Sequence, residues 1–159
     1  MASLTSVLRP FFLRRAKASA RFASSGDEIQ RSQLRKLLKA ACETEYGRKH
    51  HFKSIAGYDD FRQAVPLVRY EDIRADLMRM VAGEKNVLWR GVVRHFAQSS
   101  GTSDGKSKYI PITADSFKLT HYRGGFDVVA HYLSLYPDSR IFDGKSFILG
   151  GSYANELTL

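Results

Sequence analysis

A run of small and hydroxyl-bearing residues, 99–108, is the part of this sequence best suited to chemistry. It reads Ser-Ser-Gly-Thr-Ser-Asp-Gly-Lys-Ser-Lys and lies between two segments with the composition of β-strands. Glycine lets backbone N–H groups converge on an anion, hydroxyl groups add donors, and lysine neutralises negative charge. The run therefore predicts a polyphosphate site, with these candidate ligands: Ser99, Ser100, Gly101, Thr102, Ser103, Gly105, Lys106 and Lys108.

Two other interpretations of this loop stay open from the residues alone. Residues 101–107 read G-x-x-x-G-K-S, one residue short of the P-loop spacing, and the segment after them is extended where a P-loop has a helix. A polar loop that only turns the chain is the other interpretation, because Ser, Gly and Asp are common in turns. The residues alone identify no catalytic group.

Three helices are predicted ahead of the loop. Ser25 and Glu28 have the spacing of a capping box and precede apolar residues at helical intervals, with Gly47 as the predicted stop. Residues 58–65 predict a short helix with acids in its first turn, and residues 71–81 predict a third helix. These helices come before any strand-like segment.

The second half of the chain has the pattern of strands followed by a long helix. Strands are predicted over four segments: 87–89, 92–97, 109–112 and 146–149. Pro111 places the third of them at a sheet edge, because proline cannot donate to a ladder. Thr113 is the predicted cap of a helix to about Tyr136, in which Gly124-Gly125 suggests close packing, a kink or room for a ligand.

Composition limits the class of protein. The 159 residues are 43% hydrophobic and 26% charged, which favours one soluble domain, and no apolar run approaches the length needed for stable membrane insertion. Cys42 is the only cysteine, which excludes an intramolecular disulfide and favours a reducing compartment. The five histidines show no metal-binding spacing, so no metal site made by side chains alone is predicted.

The net charge of +9 is concentrated at the start of the chain. Residues 1–25 hold five basic residues and no acid, more than half of the net charge. Because a nucleic-acid binder carries its charge as a stripe on the fold, nucleic acid is not the predicted partner. The arm is interpreted either as a basic amphipathic helix or as an organellar transit peptide, with residues 26–159 as the remaining domain.

An ordered series of segments resembles a known family. The loop Ser99-Ser100-Gly101-Thr102-Ser103, with Gly105 and Lys108, is similar to the phosphate-binding motif of adenylate-forming enzymes. It most resembles the auxin-responsive promoter family of acyl-acid amido synthetases. The flanking segments follow in the family order from about Ile29 to the end: 44–49, 65–66, 70–73, 83–89, 96–97, 109–111 and 142–145.

The resemblance implies a fold, a reaction and its reactants. The implied fold is α/β, the N-terminal portion of an adenylate-forming domain, with helices first and then a partial sheet. The implied reaction joins a carboxylic acid to an amino acid with ATP and Mg²⁺, in the cytoplasm unless residues 1–25 are a transit peptide. The family's adenine- and ribose-binding motifs have no counterpart here, so residues 26–159 are expected to be incomplete and inactive alone. A non-catalytic nucleotide- or anion-binding remnant is the alternative.

Overall fold

The computed structural model describes residues 3–99, 108–145 and 147. Two compact units are present: a terminal unit, Met1–Ala18 with Phe126–Leu159, and a central unit, Ser19–Gly125. The described elements, in chain order, are α1 (Leu4–Ser19), α2 (Arg21–Ala41), α3 (Glu45–Lys49), a 3-10 turn (Phe52–Ser54), α4 (Tyr58–Ala64), α5 (Tyr70–Val81), β1 (His95–Ser99), β2 (Lys108–Ile112), α6 (Ala114–Ser116), a π-helical stretch (Phe117–Tyr122) and α7 (Arg123–Leu135). Helices precede a small antiparallel sheet, as predicted. The division after residue 25 stays a prediction, because these units group contacts and do not define domains.

The terminal unit joins the two ends of the chain around an aromatic cluster. Phe12 of α1 is buried with Ala130 and Leu133 of α7. Its ring stacks on those of Phe126 and Phe142, with centroids 5.8 and 5.4 Å away. Residues 4–19 are therefore helical, and Phe12 packs against α7, whereas Leu4, Val7 and Phe11 are largely exposed.

Polar contacts secure α1 in the same unit. The Arg9 guanidinium donates to the carbonyl oxygens of Leu133 at 3.0 Å and Ser139 at 2.8 Å, at and beyond the last turn of α7. These carbonyl groups lack helical partners, and a cation is favourable beside them. The guanidinium of Arg15 pairs with the Asp127 carboxylate through two hydrogen bonds of 2.5 and 2.8 Å. Basic residues of the arm are thus engaged within the fold.

The central unit has its core between α5 and the chain that follows it. Leu77 and Met80 of α5 are buried with Val87 and Val93, and the partly buried side chains of Tyr70 and Phe96 pack against them. Phe96 belongs to β1, so the core fixes this strand against the helix. The two strands of the predicted phosphate loop are consequently held by α5.

Gly47 does not end the first long helix, contrary to the prediction. That helix, α2, ends at Ala41, and Gly47 is buried within the short α3. A Cβ at Gly47 would lie 2.0 Å from the Ala41 carbonyl oxygen. Close approach of two backbone segments, which local patterns do not reveal, is the reason for glycine here.

The start of α2 also differs from the prediction. The helix begins at Arg21, ahead of the capping box proposed at Ser25. Ser25 itself leaves helical geometry, with φ −131° and ψ 26°, so α2 is kinked there. The capping signal marks a break within a longer helical stretch.

The prediction of a strand over residues 87–89 is wrong, because these residues form bends. Asn86 adopts a left-handed φ of 61°, and its side-chain oxygen accepts the N–H of Gly91 at 2.7 Å. This turn orients Val87 into the core. The later segment is a strand only from His95 onward, as β1. Of the predicted strand over residues 146–149, only Phe147 is among the described residues, and it is not in a strand.

The helices α4 and α5 and the strand β2 confirm their predictions. The long helix after Thr113 is also confirmed, with the Thr113 hydroxyl accepting the Ser116 N–H at 3.0 Å as its cap. A Cβ added at Gly124 or Gly125 would meet no described atom within 4 Å, so close packing does not account for that pair. In the described part of the chain, no helix is both long and apolar enough to cross a bilayer.

Candidate functional site

The predicted phosphate loop connects two directly paired residues. The strands β1 and β2 are antiparallel, and Ser99 lies opposite Lys108 in their register. Opposed residues project to the same face of a hairpin, with Cβ atoms about 4.5–5.5 Å apart. The hairpin therefore brings together the first and last of the eight candidate ligands. The others lie outside the described residues: Ser100, Gly101, Thr102, Ser103, Gly105 and Lys106.

Lys108 lies between a carboxylate and an aromatic ring at the start of α5. Its Nζ is 3.9 Å from Oε1 of Glu71 and 5.4 Å from the centroid of the Tyr70 ring. The side chains of Lys108 and Glu71 are 42% and 59% exposed. The ammonium group is thus held near a defined position while remaining open to an anion from solvent.

Tyr70 is also hydrogen-bonded to the backbone of β2. Its hydroxyl oxygen accepts the N–H of Tyr109 at 2.9 Å. Tyr70 is the first residue of α5, and the Asp72 carboxylate accepts the N–H of the preceding residue, Arg69, at 2.7 Å. The beginning of this helix therefore anchors the strand that leaves the loop.

An ion-pair cluster secures the other end of α5. The guanidinium of Arg79 donates to the carboxylates of Glu45, Asp76 and Glu84. These bonds hold the pKa of Glu45 and of Glu84 below its ordinary value and raise that of Arg79. Together with the buried apolar face, the cluster ties α5 to α3 and to the turn after α5, so the helix can act as a fixed support for the hairpin.

The face of the hairpin that carries Ser99 and Lys108 also carries His95. The His95 ring meets that of Phe117 edge-on, with centroids 6.0 Å apart. Phe117 begins the π-helical stretch, a geometry that often occurs at functional sites. Helical periodicity in the sequence did not distinguish this stretch from the α-helix around it.

No group of three or more metal-binding side chains is found among residues 3–99, 108–145 and 147.

The family model described as the GH3 family N-terminal domain matches residues 15–156. The chain belongs to the GH3 family. The match covers the hairpin, its loop and the helices that support it. The resemblance to acyl-acid amido synthetases that the sequence suggested is thereby confirmed at the level of the family.

Curated relatives of this GH3 chain are similar to it over a small part of their own length. It is 33% identical over 89 residues to indole-3-acetic acid-amido synthetase GH3.5 of Arabidopsis thaliana, covering 55% of this chain and 14% of that protein. It is 29% identical over 126 residues to the probable indole-3-acetic acid-amido synthetase GH3.7 of Oryza sativa subsp. japonica, covering 74% of this chain and 20% of that protein. The matched part thus spans between 14% and 20% of these two relatives.

Sequence reasoning did not select Tyr70 and Glu71 as site residues. Both lie in a segment, 70–73, that contributed to the family resemblance, but no local signal assigned them a role. Only the packing of α5 against β2 brings them to Lys108.

Proposed function

We propose that this chain supplies the phosphate-binding part of an ATP-dependent acyl-acid amido synthetase. The single observation that carries the proposal is the pairing of Ser99 with Lys108 at the two ends of the Ser/Gly/Lys loop. Family membership supports it, as do the relatives named as indole-3-acetic acid-amido synthetases. The two reactants to be joined are a small carboxylic acid and an amino acid.

The loop residues have distinct proposed roles. Hydroxyl groups and backbone N–H groups of Ser99, Ser100, Thr102 and Ser103 donate to phosphate oxygens, while Gly101 and Gly105 permit a tight curve around them. Lys106 and Lys108 neutralise the charge that grows on the leaving pyrophosphate. Donors fixed before the reaction stabilise that charge without reorganising.

ATP is a substrate in the proposed reaction. An oxygen of the acid attacks the α-phosphorus as the bond to the bridging oxygen of pyrophosphate breaks. The amino-acid nitrogen then attacks the acyl carbon, AMP leaves with the carboxylate oxygen, and the nitrogen loses a proton to form the amide. Mg²⁺ is proposed to enter with the nucleotide, bound through phosphate oxygens and water.

Nucleotide binding tests the part of this proposal that the chain itself can perform. Calorimetric titration with Mg·ATP should show saturable binding that weakens about tenfold in Lys108→Ala, since a charge-assisted hydrogen bond contributes about 1.5–3 kcal/mol. Ser100→Ala should weaken binding in the same direction. Lys118→Ala, which removes an equal charge from the π-helical stretch, is the matched control. Equal affinities in all four proteins would contradict the assignment.

Catalysis requires a second experiment, because the chain matches only a small share of its relatives. Residues 15–156 can replace the corresponding segment of the Arabidopsis synthetase, and the hybrid can be assayed for acid-dependent exchange of pyrophosphate into ATP. Exchange that Lys108→Ala abolishes would support the ligase. A folded hybrid that binds Mg·ATP without exchange with any acid would favour the non-catalytic nucleotide-binding alternative.

We propose the cytoplasm as the compartment, with Cys42 as the single cysteine in support. The transit-peptide alternative requires loss of residues 1–25, which would remove Phe12 and Arg9 from their contacts in the terminal unit. Mass spectrometry of the N-terminus of the protein isolated from its native cells distinguishes the two. Retention of residues 4–19 supports the proposal, and a mature N-terminus near residue 26 contradicts it.

A further inference from the structure

We propose that Tyr70 is a positioning residue of the phosphate site, a proposal that rests on the function proposed above. Tyr70 holds the first two residues of β2 and so fixes the point from which the Lys108 side chain reaches toward phosphate. It acts through Lys108 and Tyr109 and does not itself touch the nucleotide.

The first support is the hydrogen bond from the Tyr109 N–H to the Tyr70 hydroxyl, at 2.9 Å. In an antiparallel pair, successive N–H groups point alternately toward the partner strand and away from it. The N–H of Tyr109 turns away from β1, toward α5. Pro111, two residues further along β2, faces the same side but has no N–H group. The N–H of Tyr109 is therefore the group on the outer edge of β2 that lies nearest the loop, and Tyr70 supplies its acceptor.

The second support is the position of the Tyr70 ring. Its face lies 5.4 Å from Nζ of Lys108, within the range of a cation–π interaction. A lysine side chain has four rotatable bonds and loses its preferred direction readily in solvent. The ring restricts that freedom before any ligand arrives.

The third support is the packing of Tyr70 itself against the buried core. The Tyr70 ring packs against the buried cluster of Leu77, Met80, Val87 and Val93. Lys108, by contrast, is 42% exposed. One side chain thus links the fixed core to an exposed cation, which is the arrangement that pre-organises a binding group.

Two variants separate the hydroxyl from the ring. In Tyr70→Phe, we expect the Tyr109 amide to exchange with solvent at least tenfold faster, and the affinities for Mg·ATP and inorganic pyrophosphate to fall about threefold. In Tyr70→Leu, which also lacks the ring, we expect affinity to fall about tenfold. Tyr58→Phe is the matched control, because Tyr58 is likewise the first residue of a helix, α4, and is 60% exposed.

Hydrogen exchange by NMR distinguishes positioning from a general loss of stability. A destabilised core would accelerate the amides of Leu77 and Met80 together with that of Tyr109, and this result would overturn the proposal. Selective acceleration at Tyr109 with weaker ligand binding supports it. If both Tyr70 variants keep the wild-type affinity while Lys108→Ala still weakens binding, the positioning role of Tyr70 is overturned and the proposed function stands. A wild-type chain that binds neither ligand overturns the proposed function, and this proposal with it.

Discussion

Lys108 has two neighbours with opposite effects on an incoming phosphate. The Tyr70 ring holds the ammonium group without neutralising it, whereas the Glu71 carboxylate, 3.9 Å away, competes with any anion for the same cation. Both neighbours come from the first turn of α5. The charge available to the loop is therefore set by residues that precede Lys108 by 37 and 38 positions.

We predict that Glu71→Gln strengthens pyrophosphate binding by about two- to fivefold, because it removes the competing charge and keeps the side-chain shape. Since both groups are largely exposed, the gain should shrink as salt is raised. Calorimetry at two ionic strengths measures both effects. Glu28→Gln on α2 is the control for a uniform change in net charge. A weaker affinity in Glu71→Gln would show that the carboxylate supports the site.

Gly47 is a second position where one residue type is required. We predict that Gly47→Ala lowers the free energy of unfolding by about 1–3 kcal/mol, because its Cβ would overlap the Ala41 carbonyl oxygen. Gly26→Ala is the matched control. It lies in α2 with no atom within 4 Å of an added Cβ, so it should stabilise the chain by about 0.5–1 kcal/mol. Urea denaturation of both variants tests the predicted opposite signs.

Among the elements, α1 shows how a basic arm becomes structural. Phe12 is buried against α7, and Arg9 and Arg15 satisfy carbonyl and carboxylate groups of the returning chain. The same composition in isolation is also typical of a transit peptide. The partner helix, more than 100 residues away in sequence, decides between a solvated and a packed helix.

We predict that Phe12→Ala destabilises the chain by about 3–5 kcal/mol, because the ring is buried in an aromatic cluster. Phe11→Ala, at the adjacent position, should have a much smaller effect, since that ring is 62% exposed. Thermal unfolding by circular dichroism compares the two. Equal losses would contradict the packing described for α1.

The terminal unit should also weaken in acid. Hydrogen bonds from the Ser3 hydroxyl, the Arg140 guanidinium and the Thr5 N–H lower the pKa of Asp143 from 3.8 to about 2. A carboxyl group whose pKa is lower in the folded state stabilises the fold above its unfolded pKa. That contribution should be lost between pH about 4 and about 2. Denaturation across this range should show a smaller decline in Asp143→Asn than in the wild-type chain.

At the scale of the whole molecule, α7 is apolar on two sides. Ala130 and Leu133 are buried, while Val128, Tyr132 and Leu135 form a stripe at helical spacing on the exposed side. Val128 and Leu135 are 71% and 74% exposed. An exposed apolar stripe of this kind is typical of a surface that another part of a protein or a partner covers. This agrees with a match to only 14–20% of the two relatives compared above.

We predict that the chain on its own self-associates and binds an apolar dye. The double variant Val128→Ser, Leu135→Ser should reduce both properties with little loss of stability, because neither side chain contributes to the core. Sedimentation velocity over a range of concentrations measures the association. A monomer that excludes the dye at all concentrations would contradict the prediction. The chain alone is also expected to show no acid-dependent pyrophosphate exchange.

The sequence by itself determined the local features of this protein. Helical periodicity and first-turn acids predicted α4 and α5, and the Thr113 cap predicted the start of the long helix. Pro111 correctly marked an edge, and the strand–loop–strand order predicted around residues 99–108 has both of its strands in the structure. Each of these signals depends on residues a few positions apart, so the chain need not be folded for them to be recognised.

Only the tertiary structure decided which distant residues meet. Gly47 is required by a carbonyl group six residues away in another helix, and α1 finds its partner at the far end of the chain. Tyr70 reaches the backbone of Tyr109 across a sequence separation of 39. Such contacts follow from how apolar faces pack against one another, which local periodicity does not specify. The residue types of the phosphate loop were therefore evident from the sequence, whereas the support that positions its lysine was not.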